Sequence, residues 1–546
     1  MSFNLGINLV EVNGATPSLQ GAPTSVAGFV IRAQRGIPGV VRQISNFTQF
    51  TDYFGSYVKS AGGDTQTSFV GAYAIRGFFD NGGSIAYVLR IVDTAATTTM
   101  KAATGTFATA AAAGGGGAGG GGAGGGAGGG AGGAGTTALT VTAGFRGVAD
   151  PGAWGNSIGI AIVSNTSNPN VKDAFDLVVA QVTSAGGATT YKVLETWSKL
   201  SMSGAAGYQL PSVIDDPATG SKYITVAATG TAPPAATASG SYTALSGGAD
   251  DTLSGAQLNT ALAAPFSTPS PLDTLPIELL ACPESADTSV VQAALTYCAN
   301  RGDCMFIGHV PDGSAQPLAA AKTYGQSLQG DKVYGALYLP YIQVVDPIGT
   351  LIWIPPTGHV MGVYARTDQQ RGIWKAPAGN GALVSNALAV RASLNDIDHT
   401  DLVKNGSVNA IRSIAGAGII IDSSRTLSTN TLWLYVNVRL LFNYVKSSLK
   451  TGLRWVVQEP NDPTLWNKIK YNSVTPFLMG LWRAGAFGPG AAKDVFTVKV
   501  DAENNPPSNI QQGILNVEVY FYPSRPAETI VITVGQQEAG ATATEK

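Results

Sequence analysis

The stretch YVNVRLLFNYVKSSLK, Tyr435 to Lys450, sets Val438, Leu441, Phe442, Val445 and Leu449 three and four residues apart. Apolar residues at that interval line one face of an α-helix. Arg439, Asn443, Lys446 and Lys450 climb a second face at the same interval, which predicts an amphipathic helix after a Ser428 cap, with a basic edge. Such an edge is either a solvated outer face or a docking face for an acidic partner, and the residues leave both open. Downstream, Asn461-Asp462-Pro463 supplies an N-cap and a proline suited to the first helical turn. A second helix is expected through Trp466 and Ile469, with Pro476 kinking or splitting it before Trp482.

Upstream of this region, LPIELLAC, SVVQAALTYCANRG and CMFIGHV read as strand, helix and strand, the β-α-β run of a three-layer core. Arg301-Gly302-Asp303 falls where that helix should end. Near the start, TSVAGFVIRA and AYVLRIV read as strands, FTQFTDYFG as a short helix and turn, and SFVGAYAIRGFFDNGG as a helix stopped by Asn81-Gly82-Gly83. From about Thr94 the composition shifts to Ala, Thr and Gly, and residues 111–135 are almost pure Gly and Ala, which predicts a flexible surface loop. Residues 136–250 carry short β patterns broken by Gly, Pro, Ser and Asn, the pattern of a small β-rich domain.

Both ends are strand-like. Gly6, Ile7, Leu9, Val10 and Val12 form a candidate strand at one end, and ETIVITVGQQ, with Ile530, Val531, Ile532 and Val534, forms one at the other. The C-terminal one is not blunted by the charge, proline or cover that usually protects a strand edge. It therefore folds back into its own sheet or is completed by something else.

A chain of 546 residues exceeds one ordinary core, so two or more domains are expected. Charged residues are 12% of the chain and the formal net charge is −2, which argues against nucleic-acid binding and suits a subunit packed against copies of itself. The opening MSFNLGINLVEVNG has no basic n-region or apolar h-region, and no run approaches a membrane span, so a protein made and kept soluble in a cytoplasm, without membrane insertion, is expected. Cys282, Cys298 and Cys304, without a CxxC and with three histidines in the whole chain, read as buried thiols rather than zinc ligands. The cluster Asn395-Asp396-Ile397-Asp398-His399-Thr400-Asp401 reads as an Asx-rich turn, and His359 in PPTGHVMGVYAR as a hydrogen-bonded structural histidine. No HExxH, GxSxG or Cys/His pairing occurs, so no catalytic residue, metal site or cofactor is expected.

Several long segments resemble the contractile tail sheath family of myophages and phage-derived injection systems. They are YGALYLPYIQVVDP (Tyr334 to Pro347), WIPPTGHVMGVYARTDQQRGIWKAPA (Trp353 to Ala378), Tyr435 to Trp466, and NNPPSNIQQGILNVEVYFYPSRPAETIVI (Asn504 to Ile532), with DNGGSIAYVLRIV, PGAWGN and LSGGADD earlier in the chain. The resemblance implies a multidomain α/β (α+β) fold: a strand arm at 1–20, core at 21–95 and 261–525, an inserted, outward β-rich domain at 96–260, and a strand arm with a polar tail at 526–546. It implies a homo-oligomer of stacked six-fold rings around an inner tail tube protein, with baseplate and tail terminator proteins as further partners. Such a particle, a virion tail or phage-tail-like device, would be assembled in a bacterial host. Terminal strands would join a host strand in neighbouring copies, here Asn516 to Tyr522 with Val517, Val519 and Phe521. Arg439, Lys446, Lys450, Lys468 and Lys470 would face the tube. Two rival readings are an α/β hydrolase-like enzyme and a non-contractile shell or adhesin subunit.

Overall fold

AGFVI, MFIGH and GALYL are apolar without alternation, as strands covered on both faces require. The computed structural model describes residues 19–58, 69–92, 100–110, 136–165, 173–203, 207–251, 253–312, 318–347 and 349–528. In it all three runs are wholly buried within one eight-stranded sheet. Its strands are β1 (Ala27–Ile31), β2 (Val41–Ile44), β3 (Ala86–Arg90), β4 (Leu279–Ala281), β5 (Met305–His309), β6 (Gly335–Leu339), β7 (Val408–Ile414) and β8 (Gly418–Ile421), in the spatial order β8-β7-β6-β5-β4-β1-β3-β2. Neighbours from β7 to β3 are parallel, and the two edge strands are antiparallel. Phe29 lies between Ala281 and Val88, so one sheet is built from two segments far apart in the chain.

One face is covered by helices α1 (Gly71–Asp80), α2 (Thr357–Arg371) and α3 (Val436–Gly452), packed around Phe29, Ile31, Val88 and Met305. Helices Thr288–Arg301, Leu318–Ser327 and Asp396–Gly406 cover the other, around Leu280, Phe306 and Leu337. The expected β-α-β run is present, with Gly302 as the left-handed cap that ends its helix and Arg301 paired to Asp303. All three cysteines are buried free thiols. The glycines of TGHVMG serve close approach: a Cβ on Gly358 would meet the Ala74 carbonyl oxygen at 1.9 Å, and one on Gly362 the Phe78 oxygen at 2.5 Å. His359 is buried between these helices, but its Nδ1 has no hydrogen-bond partner, contrary to expectation; burial lowers its pKa to about 4. The Asn395–Asp401 cluster is not a free turn but a helix start, with Asn395 Oδ1 accepting from Asp398 N at 2.8 Å.

Residues between 104 and 244 form two further four-stranded sheets around a core of their own, including Leu139, Ile160, Leu177 and Ile224. A buried ion pair ties them to the main sheet: Arg90 Nη1 lies 3.0 Å from Asp150 Oδ1, and both carboxylate oxygens accept from Gly36 N. Burial raises the Asp150 pKa against the opposing pull of Arg90.

The C-terminal region departs from expectation in three ways. α3 starts at Val436 after an extended Tyr435, eight residues beyond Ser428. Its expected basic edge is divided, because Arg439 and Asn443 are as buried as Val438, Leu441 and Val445 while Lys446 and Lys450 are exposed. Third, Pro476 does not break its helix. Pro463–Asn467, capped by Asp462, passes into a π-helical stretch, Lys468–Val474, and then into Thr475–Arg483. The wider turns lie just before the residue that lacks an N–H, which is where an interrupted α-helical hydrogen-bond ladder is most readily accommodated.

Candidate inter-subunit surface

The segment NVEVYFY forms a strand at Glu518–Phe521, antiparallel to Phe496–Lys499, in a sheet of two strands among the described residues. Its connecting turn is held by asparagines: Asn516 N donates to Asn505 Oδ1 at 2.7 Å, Asn516 Nδ2 to Asn504 O at 2.9 Å, and Asp501 N to Asn504 Oδ1 at 2.9 Å. Phe521 stacks on Phe442 of α3 at 4.1 Å and on Phe487 at 5.2 Å, while Tyr520 and Tyr522 are exposed. Val517 and Val519 pack partly against the same core. Tyr522 donates to Val495 O and accepts from Gly488 N, so even-numbered residues turn their backbone groups inward. Alternation then points the groups of Val519 and Phe521 to the outer edge, which no strand covers among the described residues.

Beyond this strand the chain is clamped. Ser524 N donates to Ala486 O, and Asn437 Nδ2 donates to Ser524 O at 3.2 Å. Arg425 grips Glu528 with two bonds, Nε to Oε1 at 2.7 Å and Nη2 to Oε2 at 2.5 Å, and Tyr435 Oη donates to Oε2 at 3.2 Å. The Arg425 hydrogen bond holds the Glu528 carboxyl below the usual carboxylate pKa. A cleft of about 570 Å³ opens beside this clamp, lined by Lys375, His399, Lys404, Asp422 and Glu528 among others. His399 lies 3.5 Å from Asp422, yet burial lowers its pKa. Among the described residues no group of three His, Cys, Asp or Glu side chains could hold a metal ion.

The expected basic contacts divide. Arg439 is no surface residue: its guanidinium lies between the rings of Trp433 (3.9 Å) and Tyr334 (4.1 Å), and burial lowers its pKa. A Trp433 ring stacked above the charge screened it from sequence periodicity, which registers spacing but not neighbours. Lys446 is exposed, but its Nζ donates to Gly302 O and lies over the Tyr334 ring. Lys450 and Lys468 are exposed and Lys470 is half-buried. The expected terminal strands, Gly6–Val12 and the strand of Ile530, Val531, Ile532 and Val534, lie outside the described residues, as does the tract 111–135. Arg425 and Tyr435 were missed because nothing local marks a partner for Glu528 some 100 residues away.

The phage tail sheath C-terminal domain family matches residues 428–537. The tail sheath protein of Vibrio phage KVP40 is 25% identical over 33% of this chain and 26% of its own length, and that of Enterobacteria phage T4 is 23% identical over 35% and 28%. The matched part of the chain thus spans about a quarter of the length of these relatives. Among solved structures, the helical sheath of the anti-feeding prophage in its contracted state covers 98% of this chain and 100% of its own, at 18% identity and TM-score 0.54. The sheath complex of PVC, an extracellular contractile injection system, in its contracted state covers 98% of each chain at 16% and 0.55, and a sheath tail protein from Desulfitobacterium hafniense covers 91% and 94% at 13% and 0.54. The mixed α/β architecture is thus shared with contractile sheath structures over nearly the whole chain, and residues 428–537 match the phage tail sheath C-terminal domain family.

Proposed function

We propose that this protein is the structural subunit of a contractile sheath that stacks in six-fold rings around an inner tube and shortens to drive that tube through an envelope. The single observation that carries the reading is the open edge of Glu518–Phe521, next to the clamp at Glu528 where the last β-branched run begins. A strand from a neighbouring copy can add to that edge by main-chain hydrogen bonds, which hold while the bodies rotate. The donated strands are Gly6–Val12 and the run containing Ile530, Val531, Ile532 and Val534. The division into a core at 21–95 and 261–525 with an insertion at 96–260 is supported by the sheet that joins β1 and β3 to β4. Lys450 and Lys468, with Lys470 and Lys446 more restricted, are the remaining candidates for the tube face. The extended form is a kinetic trap whose subunits have not yet made the contacts of the contracted one. Relatives that are structural sheath proteins support a non-catalytic role.

Truncation after Glu528 tests this. The clamp stays intact, so the variant is expected to melt like the full chain, while electron microscopy shows striated sleeves for the full chain and single particles for the variant. Sleeves from the truncated protein would overturn the assignment of that strand.

A further inference from the structure

α3 touches both ends of the described chain. At its C-terminal half, Tyr444, Ser448 and Gly452 stand four residues apart and so form one row along the helix. Residues 19–22 lie along that row: Ala22 N donates to Ser448 Oγ at 2.9 Å, Gly21 sits so close that a Cβ would meet Tyr444 Oη at 1.9 Å, and Leu19 covers Gly452, where a Cβ would meet its Cγ at 2.5 Å. Small side chains at 448 and 452 make the groove. At the other end, Tyr435 and Asn437 hold Glu528 and Ser524. The helix itself is pinned to the sheet by Asn443 Nδ2 donating to Cys304 O at 3.3 Å, by Lys446 on Gly302 O, and by the Arg439 guanidinium between its two rings.

We propose that α3 is a rigid strut that fixes the spacing of the two points where the terminal segments leave the body, so that a pull on one is delivered to the other along a single helix. At 17 residues it separates those points by about 25 Å. Leu19, Ser448, Gly452, Arg425, Tyr435 and Glu528 act as positioning residues for the terminal strands. The inference rests on the sheath reading for its purpose, but the anchorage belongs to the single chain and is tested there.

Full-length protein held by handles at its two ends is pulled in an optical trap, and the lifetime before the first rupture is read at constant force. Glu528→Gln, nearly isosteric, is expected to shorten that lifetime roughly fivefold, the scale of turning a charge-assisted hydrogen bond into a neutral one. Gly452→Leu, which fills the seat of Leu19, should act likewise. Lys322→Met, which removes the Lys322–Asp401 pair on the opposite face of the sheet, should leave it unchanged. Lifetimes insensitive to both root variants, or equally sensitive to Lys322→Met, overturn the proposal. If the roots behave as stated and the full chain never forms sleeves, the sheath reading fails and this one stands.

Discussion

Two buried carboxylates show how single residues tie the stability of this fold to pH. Glu278 accepts from Ser25 N through Oε2, its Oε1 has no partner, and burial, with Asp368 nearby, pushes its pKa up to about 8. Glu284 accepts from Gly71 N at 2.8 Å and is pushed up to about 7 by burial, against Arg32. Each binds its proton more tightly folded than unfolded, where the value is 4.5. Their contribution is therefore complete below about pH 4.5 and declines as pH rises toward 7 for Glu284 and 8 for Glu278. Glu278→Gln should remove on the order of 2 kcal/mol of that decline, measured as a flatter melting temperature from about pH 5 to 8. A slope identical to wild type would refute it.

At the scale of elements, the α1–α2 crossing depends on absent side chains. Gly358 and Gly362 let the backbones meet where any Cβ collides with a carbonyl oxygen rather than with a flexible group. Gly358→Ala should cost about 1–3 kcal/mol or more, seen as a lower urea midpoint with an unchanged slope. An unshifted midpoint would mean the helices can separate without cost. The π-helical stretch before Pro476 makes the same point from the opposite side, since a residue that should end a helix is accommodated by a change in hydrogen-bond register.

For the whole molecule, a contact that joins the two regions is the buried pair between Arg90 of the main sheet and Asp150 of the β-rich region. Removing one member leaves the other charge buried and uncompensated. Asp150→Ala is expected to lose about 3–5 kcal/mol and to lower the unfolding temperature of both parts together in calorimetry. Two separate transitions, with the main sheet unmoved, would show that the regions fold independently of this pair.

The sequence by itself determined what repeats at short range. The parallel strands, the short β patterns after residue 136, the cap at Asp462 and the helix stop at Gly302 all follow from local sterics and periodicity, and the long ordered segments carry the resemblance to tail sheath proteins. Tertiary structure alone decided which faces stay open. Arg439 and Lys450 share one helical spacing, yet Trp433 and Tyr334 bury the first and nothing covers the second. Ser448 and Gly452, small residues four apart in a bulky helix, were a readable trace of a groove, but its occupant at Leu19 comes from more than 400 residues away. Burial and pairing of a charge depend on neighbours distant in the chain, and periodicity along one helix carries no record of them.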